Sequence, residues 1–322
     1  MIAIVAAVAL ATALLPVERL PLTPVRQCAE RRCIELNDLS ARFLAFFEAA
    51  RSETDEERRF ALWQAHYGFA AVPPGPQGEA LARQVLRHAW SRYPAALPVI
   101  RRGAQPIGAE ALAIMVRIAD LLGDREPIDV KLLAYVGGFE DNAFTYADAG
   151  RPVVAVPIET SPQQRSLLLA HELTHAVHLK TAKLSGGWER SIAQTIIQEG
   201  LATHVAHQVA PGQPLVAYLE HTPGWWNAAE AKRSAILKAI LPVLEKSDGE
   251  TVFRFTIGPG PNGLEREAYA AGWYVIEDLL AQGMSLAEIA RIPEERMASV
   301  VRSSIERLLS RIGEGGAQSA GR

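Results

Sequence analysis

Two cysteines in 322 residues, Cys28 and Cys33, are too few for a disulfide-built scaffold. Metal binding by the pair would need two more ligands nearby, and none is evident. In an exported chain the two could close a small disulfide loop. Glycine-rich loops of the phosphate-cradling kind are missing. So is any basic patch interleaved with aromatics, which removes nucleic acid as a partner. The net charge of −3 selects no partner by its sign, and internal repeats are absent. Met1–Leu15 is almost wholly apolar but too short for a membrane span, which needs roughly 20 residues.

That N-terminal run resembles the hydrophobic region of a signal peptide, with Ala11-Thr12-Ala13 as a small-x-small cleavage site. It has no positively charged start beyond the terminal amine, so an uncleaved anchor is the competing reading. Either way the chain is expected outside the cytoplasm, periplasmic or secreted, with membrane association only through its N-terminus. The pattern from Ile34 to Ala71 is helical, with Phe43, Leu44, Phe46 and Phe47 as its apolar stripe. The loop Val72–Gly78 is rich in Pro and Gly. Helices are expected from Glu79 to Tyr93 and from Gly108 to Leu122, with Pro94–Pro106 as an irregular link.

The hydrophobic period then changes. Ile128–Val136 and Val153–Val156 are short continuous apolar runs bounded by Gly or Pro, and both predict strands. Asn142–Tyr146 alternates between them as an exposed edge strand, which could accept an extended peptide by strand addition. A plain hairpin is the alternative. Beyond Pro211 the pattern is helical again, through Ala228–Leu244, Glu265–Leu280 and a closing hairpin over Ser285–Arg311. The loop His221–Trp226 carries two adjacent tryptophans, suited to a cleft wall or to packing.

His171-Glu172-Leu173-Thr174-His175 carries the most chemistry. It lies in a predicted helix that starts at Ser161-Pro162, runs through Ala182 and is stopped by Gly186-Gly187. Residues four apart stack on one helix face, so both imidazoles can reach one ion while Glu172 projects from the flank. That is the donor arrangement of a catalytic zinc site, with the carboxylate placed to take a proton from water. A catalytic zinc keeps three protein ligands. Glu199 is the leading third candidate, because a carboxylate within the apolar helix Ser191–Ala202 is costly unless paired or metal-bound. Gly200 beside it permits close helix approach. His178, two turns beyond His171, is a poorer ligand, and His204 and His207 suit supporting or surface roles.

The pentapeptide and a glutamate on a later helix resemble the gluzincin metallopeptidases. His171–Val177 and Asn142-Ala143-Phe144 are similar to the zinc helix and substrate-binding edge strand of the thermolysin family. Gln198–Ala202 and Tyr269-Ala270-Ala271-Gly272-Trp273 look like segments of a bacterial group of predicted zinc-dependent proteases. The resemblance implies one Zn2+ held by His171, His175 and Glu199, with Glu172 as general base. It also implies substrate backbone held near Asn142 and Ala143. Thr203 stands where thermolysin-like enzymes carry an aspartate that orients a zinc histidine. Their oxyanion-steadying histidine has no counterpart, and Tyr269 is the substitute for that role or else a core aromatic.

The expected fold is α+β and mostly helical, a zincin-like metallopeptidase with a small mixed sheet and an edge strand beside the zinc helix. The expected organisation is a leader or anchor (1–15), an N-terminal helical lobe (28–122), a zinc-binding core (123–210), a C-terminal helical lobe (211–312) and a disordered tail (313–322). The expected activity is peptide hydrolysis on a peptide or protein substrate. The alternative is a non-catalytic zinc-binding interaction module that keeps the same fold.

Overall fold

The computed structural model of the protein describes residues 19–72, 75–185 and 190–319, with side chains as far as 313. The leader over Met1–Leu15 and the Gly186-Gly187 stop lie outside the described residues. Strands β1 (Val25–Ala29) and β2 (Arg32–Asp38) form an antiparallel hairpin. Cys28 faces Cys33 across it, and the two are joined as a disulfide with Cα atoms 4.2 Å apart. The helix expected from Ile34 is therefore strand for its first residues. Ile34 and Leu36 are buried while Cys33 and Glu35 are only half-buried, a period of two confined to a few residues ahead of a strongly helical stretch. The segment expected as an N-terminal helical lobe (28–122) thus gives β2 and the end of β1 to the sheet.

Helices α1 (Ser40–Ala50), α2 (Glu56–His66), α3 (Pro76–Ala89), α4 (Tyr93–Arg102) and α5 (Gln105–Leu121) follow. The link expected over Pro94–Pro106 is largely α4. Pro94 sits in its first turn, where a missing N–H breaks no intrahelical bond. Pro98 lies in the interior of this ten-residue helix, between the buried Tyr93 and Ile100.

Strands β3 (Ile128–Tyr135), β4 (Phe144–Asp148) and β5 (Arg151–Pro157) complete a five-stranded sheet in the order β1-β2-β3-β5-β4. The inner pairs β2–β3 and β3–β5 are parallel and the outer pairs antiparallel, so the sheet is mixed. Val153–Val156 are fully buried, which accounts for a continuous rather than alternating apolar run. β4 is an edge strand, as expected, but it starts two residues late. Asp141 adopts φ 51, and the Tyr135 hydroxyl donates to the Asn142 carbonyl, so the chain bends before it joins β5.

Helices α6 (Pro162–Thr181) and α7 (Ile192–Val209) come next. The rest are α8 (Val216–Leu219), α9 (Trp225–Ala231), α10 (Arg233–Ile240), α11 (Gly249–Thr256), α12 (Glu267–Ala281), α13 (Leu286–Ile289) and α14 (Glu294–Ser319). α5 and α6 pack together against the sheet, α7 packs on α6, and α12 on α7. Every residue of α7 from Ile192 to Ala206 is buried, which fits a helix apolar on all sides. The architecture is α+β, mostly helical, around a small mixed sheet. α14 continues over 313–319, where the composition predicts a disordered tail; a helix already nucleated extends at little further cost. Among the described residues no helix is long and apolar enough to cross a membrane.

Candidate metal centre

α6 begins where the sequence places it. The Ser161 hydroxyl accepts the Gln164 N–H at 3.2 Å, and Pro162 occupies the first turn. Neither Gly nor Pro interrupts the helix before Thr181. The four-residue spacing therefore brings His171 and His175 together, with Nε2 atoms 3.1 Å apart and rings edge to face. α7 starts with a full capping box between Ser191 and Gln194. It delivers Glu199, whose Oε2 lies 3.2 Å from His171 Nε2 and 3.3 Å from His175 Nε2.

Three donor atoms thus stand 3.1–3.3 Å from one another. Bonds of about 2.0–2.1 Å to a tetrahedral zinc imply donor separations of roughly 3.3–3.4 Å, so the three form one face of such a site. Two imidazole nitrogens that face each other and address the same carboxylate oxygen converge on a point suited to a cation. The donor types and their spacing fit zinc.

Electrostatics favour the same point. Burial alone would raise the Glu199 pKa, but the neighbouring His175, hydrogen bonds from both rings and Arg190 outweigh it and hold the carboxyl well below its usual range. Burial opposes the charged form of His171, yet its bond to Glu199 and the nearby Glu172 charge leave its pKa raised.

Glu172 stands at the flank. Donor atoms of His171, Glu172 and His175 lie within 4.8 Å of one another. The Glu172 Oε2, however, is 2.8 Å from the Thr145 hydroxyl of β4, which also lies 2.9 Å from the Glu172 carbonyl oxygen. The edge strand and the motif glutamate are therefore tied directly.

These groups open on a cleft of about 810 Å³, whose wall includes β4, Trp225, Arg266 and Tyr269. Asn142, Ala143 and Thr203 also line it. Asn142 is partly committed elsewhere, because its Nδ2 donates to the Ala71 carbonyl at 3.3 Å. Tyr269 carries a phenol whose pKa is raised by burial and then by the Glu199 charge, so it stays a donor.

Thr203, which stands at the aspartate position, makes no hydrogen bond to a histidine of the cluster. The Thr203 hydroxyl donates to the Glu199 carbonyl at 2.8 Å, and the buried His175 Nδ1 has no hydrogen-bond partner. A hydroxyl on a helix finds the carbonyl four residues back more readily than a distant ring. His178 is buried with both ring nitrogens unpartnered; burial first, then His175 and Arg190, push its pKa down to about 3. His204 stacks on Trp273 at 3.8 Å, and His207 meets the Tyr218 ring edge-on, so neither joins the donors.

Three residues of the site carry no signal in the sequence. Thr145 is one alternation position in a short strand. Arg190 merely precedes the Ser191 cap, yet its guanidinium pairs with Glu199 Oε1. Arg266 adopts the left-handed conformation (φ 58) at the start of α12 and lies 5.1 Å from the Tyr269 ring centre. Such backbone conformations gather at functional sites.

A two-histidine, one-carboxylate cluster with a second glutamate beside it, on a cleft next to a sheet edge, is a candidate metal site. Residues 146–299 match a family model described as "Predicted Zn-dependent protease (DUF2268)". The match takes in α6 and α7, which carry His171, His175 and Glu199, and α12, which carries Tyr269, and it supports a zinc-dependent protease. No curated protein matches the chain.

Proposed function

We propose that the protein is a zinc-dependent peptidase of the gluzincin type, with a zincin-like core. His171, His175 and Glu199 hold the metal, and Glu172 is the general base. The observation that carries this reading is the mutual 3.1–3.3 Å spacing of three donors from two separate helices. Zinc held there would lower the pKa of water to about 7 and polarise a carbonyl oxygen. Glu172 takes the proton of the attacking water on a carboxylate oxygen and later passes it to the leaving amine nitrogen. Thr145 fixes the orientation of that carboxylate. The Tyr269 phenol donates a hydrogen bond to the oxyanion that develops.

The substrate lies extended along β4, whose outer edge is free among the described residues, and Asn142 and Ala143 flank its entry. Action outside the cytoplasm is supported by the Cys28–Cys33 disulfide, because such bonds persist in oxidising compartments. Hydrolysis of an unstructured protein, abolished by a chelator and restored by zinc, is the expected outcome.

The orphaned His175 Nδ1 favours a second reading, a zinc-binding interaction module without turnover, because metal-bound histidines usually donate their other N–H. Zinc binding without hydrolysis of any peptide library would select it.

A further inference from the structure

Glu199 offers two oxygens, and the site uses them differently. Oε2 faces both imidazoles, whereas Oε1 is taken by the Arg190 guanidinium. Arg190 is itself fixed. Its Nη1 lies 2.5 Å from Gln198 Oε1 and its Nε 3.3 Å from Thr195 Oγ1, both on α7, the helix that carries Glu199. The arginine therefore spans one face of α7 from Thr195 to Glu199 in three contacts. The Glu199 side chain is almost completely buried, so bulk water has little access to the oxygen that Arg190 holds.

We infer that Arg190 is a positioning residue that restricts Glu199 to single-oxygen ligation, keeping the metal at three protein donors with a position open. The inference rests on the proposed metal centre but not on turnover. A carboxylate free to rotate could offer both oxygens to the ion and close the position that water needs. Arginine suits the task better than lysine, because its planar fork can meet Glu199 and Gln198 at once.

The test uses the full-length chain loaded with cobalt(II), whose visible absorption weakens as coordination number rises, together with zinc affinity from chelator competition. Arg190→Met should weaken zinc binding by roughly tenfold or more and lower the visible absorption of the cobalt form, with Arg190→Lys in between. If Arg190→Met fails to fold, the double variant Thr195→Val/Gln198→Leu loosens the guanidinium without deleting it and should move both readouts in the same direction. An unchanged cobalt spectrum and zinc affinity in a folded Arg190→Met, or in the double variant, would overturn the inference. Wild-type protein that binds neither metal removes the metal centre and this inference with it. Metal binding with the predicted spectral change but no hydrolysis would leave the inference standing and sink only the peptidase.

Discussion

Gly200 of α7 and Gly272 of α12 meet backbone to backbone. A Cβ on Gly272 would lie 2.8 Å from the Ile196 carbonyl oxygen and 2.9 Å from the Gly200 nitrogen, and one on Gly200 would overlap the Gly272 carbonyl. Gly200 therefore serves the contact with α12, not an approach to α6. This crossing places Tyr269, one turn before Gly272, beside Glu199, which precedes Gly200. Trp273 closes the crossing by stacking on His204. The separated segments Glu199-Gly200 and Tyr269-x-x-Gly272-Trp273 are thus two halves of one contact.

Because the atoms in the way are main chain, neither glycine tolerates a methyl without movement of a helix. Gly272→Ala and Gly200→Ala should each cost about 1–3 kcal/mol, the range of overpacked cores. Chemical denaturation would measure it. Both variants should also lose activity out of proportion, because the Tyr269 hydroxyl moves relative to Glu199. Wild-type stability in both would show that the crossing relaxes freely.

Glu172→Gln keeps the size of the side chain and the Thr145 contact but removes the proton acceptor. The expected result is unchanged zinc content with a fall in kcat of roughly a hundredfold or more. Metal analysis beside single-substrate kinetics separates this from loss of the ion. Turnover near the wild-type rate would remove the carboxylate from the mechanism.

Sequence reached those parts of the site that local rules dictate. Helical periodicity joins His171 to His175, and a carboxylate within an apolar helix marks Glu199 as paired or ligating. Thr145, Arg190 and Arg266 escaped because nothing local distinguishes them; each matters through a partner 9 to 27 residues away or through a cleft formed only on folding. At Thr203, where the resemblance calls for an aspartate, the hydroxyl instead bonds the carbonyl four residues back on its own helix. The β1–β2 hairpin was obscured because its alternation is short and runs straight into the phenylalanine-rich α1. The edge strand was legible in kind and displaced by two residues, because the Tyr135–Asn142 contact that delays it is tertiary.

Thr145→Val removes one hydroxyl at nearly constant volume. A hydrogen bond to a charged group is worth about 1.5–3 kcal/mol, and tenfold in rate corresponds to roughly 1.4 kcal/mol. If Thr145 orients the base, kcat should drop about tenfold or more with KM little altered, and Thr145→Ser should recover most of it. A rise in KM alone would instead make Thr145 a substrate contact on β4.

Glu159 supplies a pH dependence outside the candidate metal centre. It follows β5, and its Oε1 accepts the Gly137 N–H at 2.9 Å and the Phe139 N–H at 3.3 Å, bracing the segment that leads to β4. Its Oε2 is buried without a partner. Burial, only partly offset by the backbone bonds, pushes its pKa from the usual 4.5 up to about 7. Between those values the folded chain holds a proton that the unfolded chain has lost. Stability must therefore fall as pH rises through this window, and the loss is complete above about pH 7, reaching at most about 3 kcal/mol. Glu159→Gln retains an acceptor for both amides and cannot ionise. Its melting temperature should exceed that of the wild type at pH 8 by clearly more than at pH 5. Two melting curves that shift in parallel across that range would show that the carboxyl ionises alike in the folded and unfolded chains.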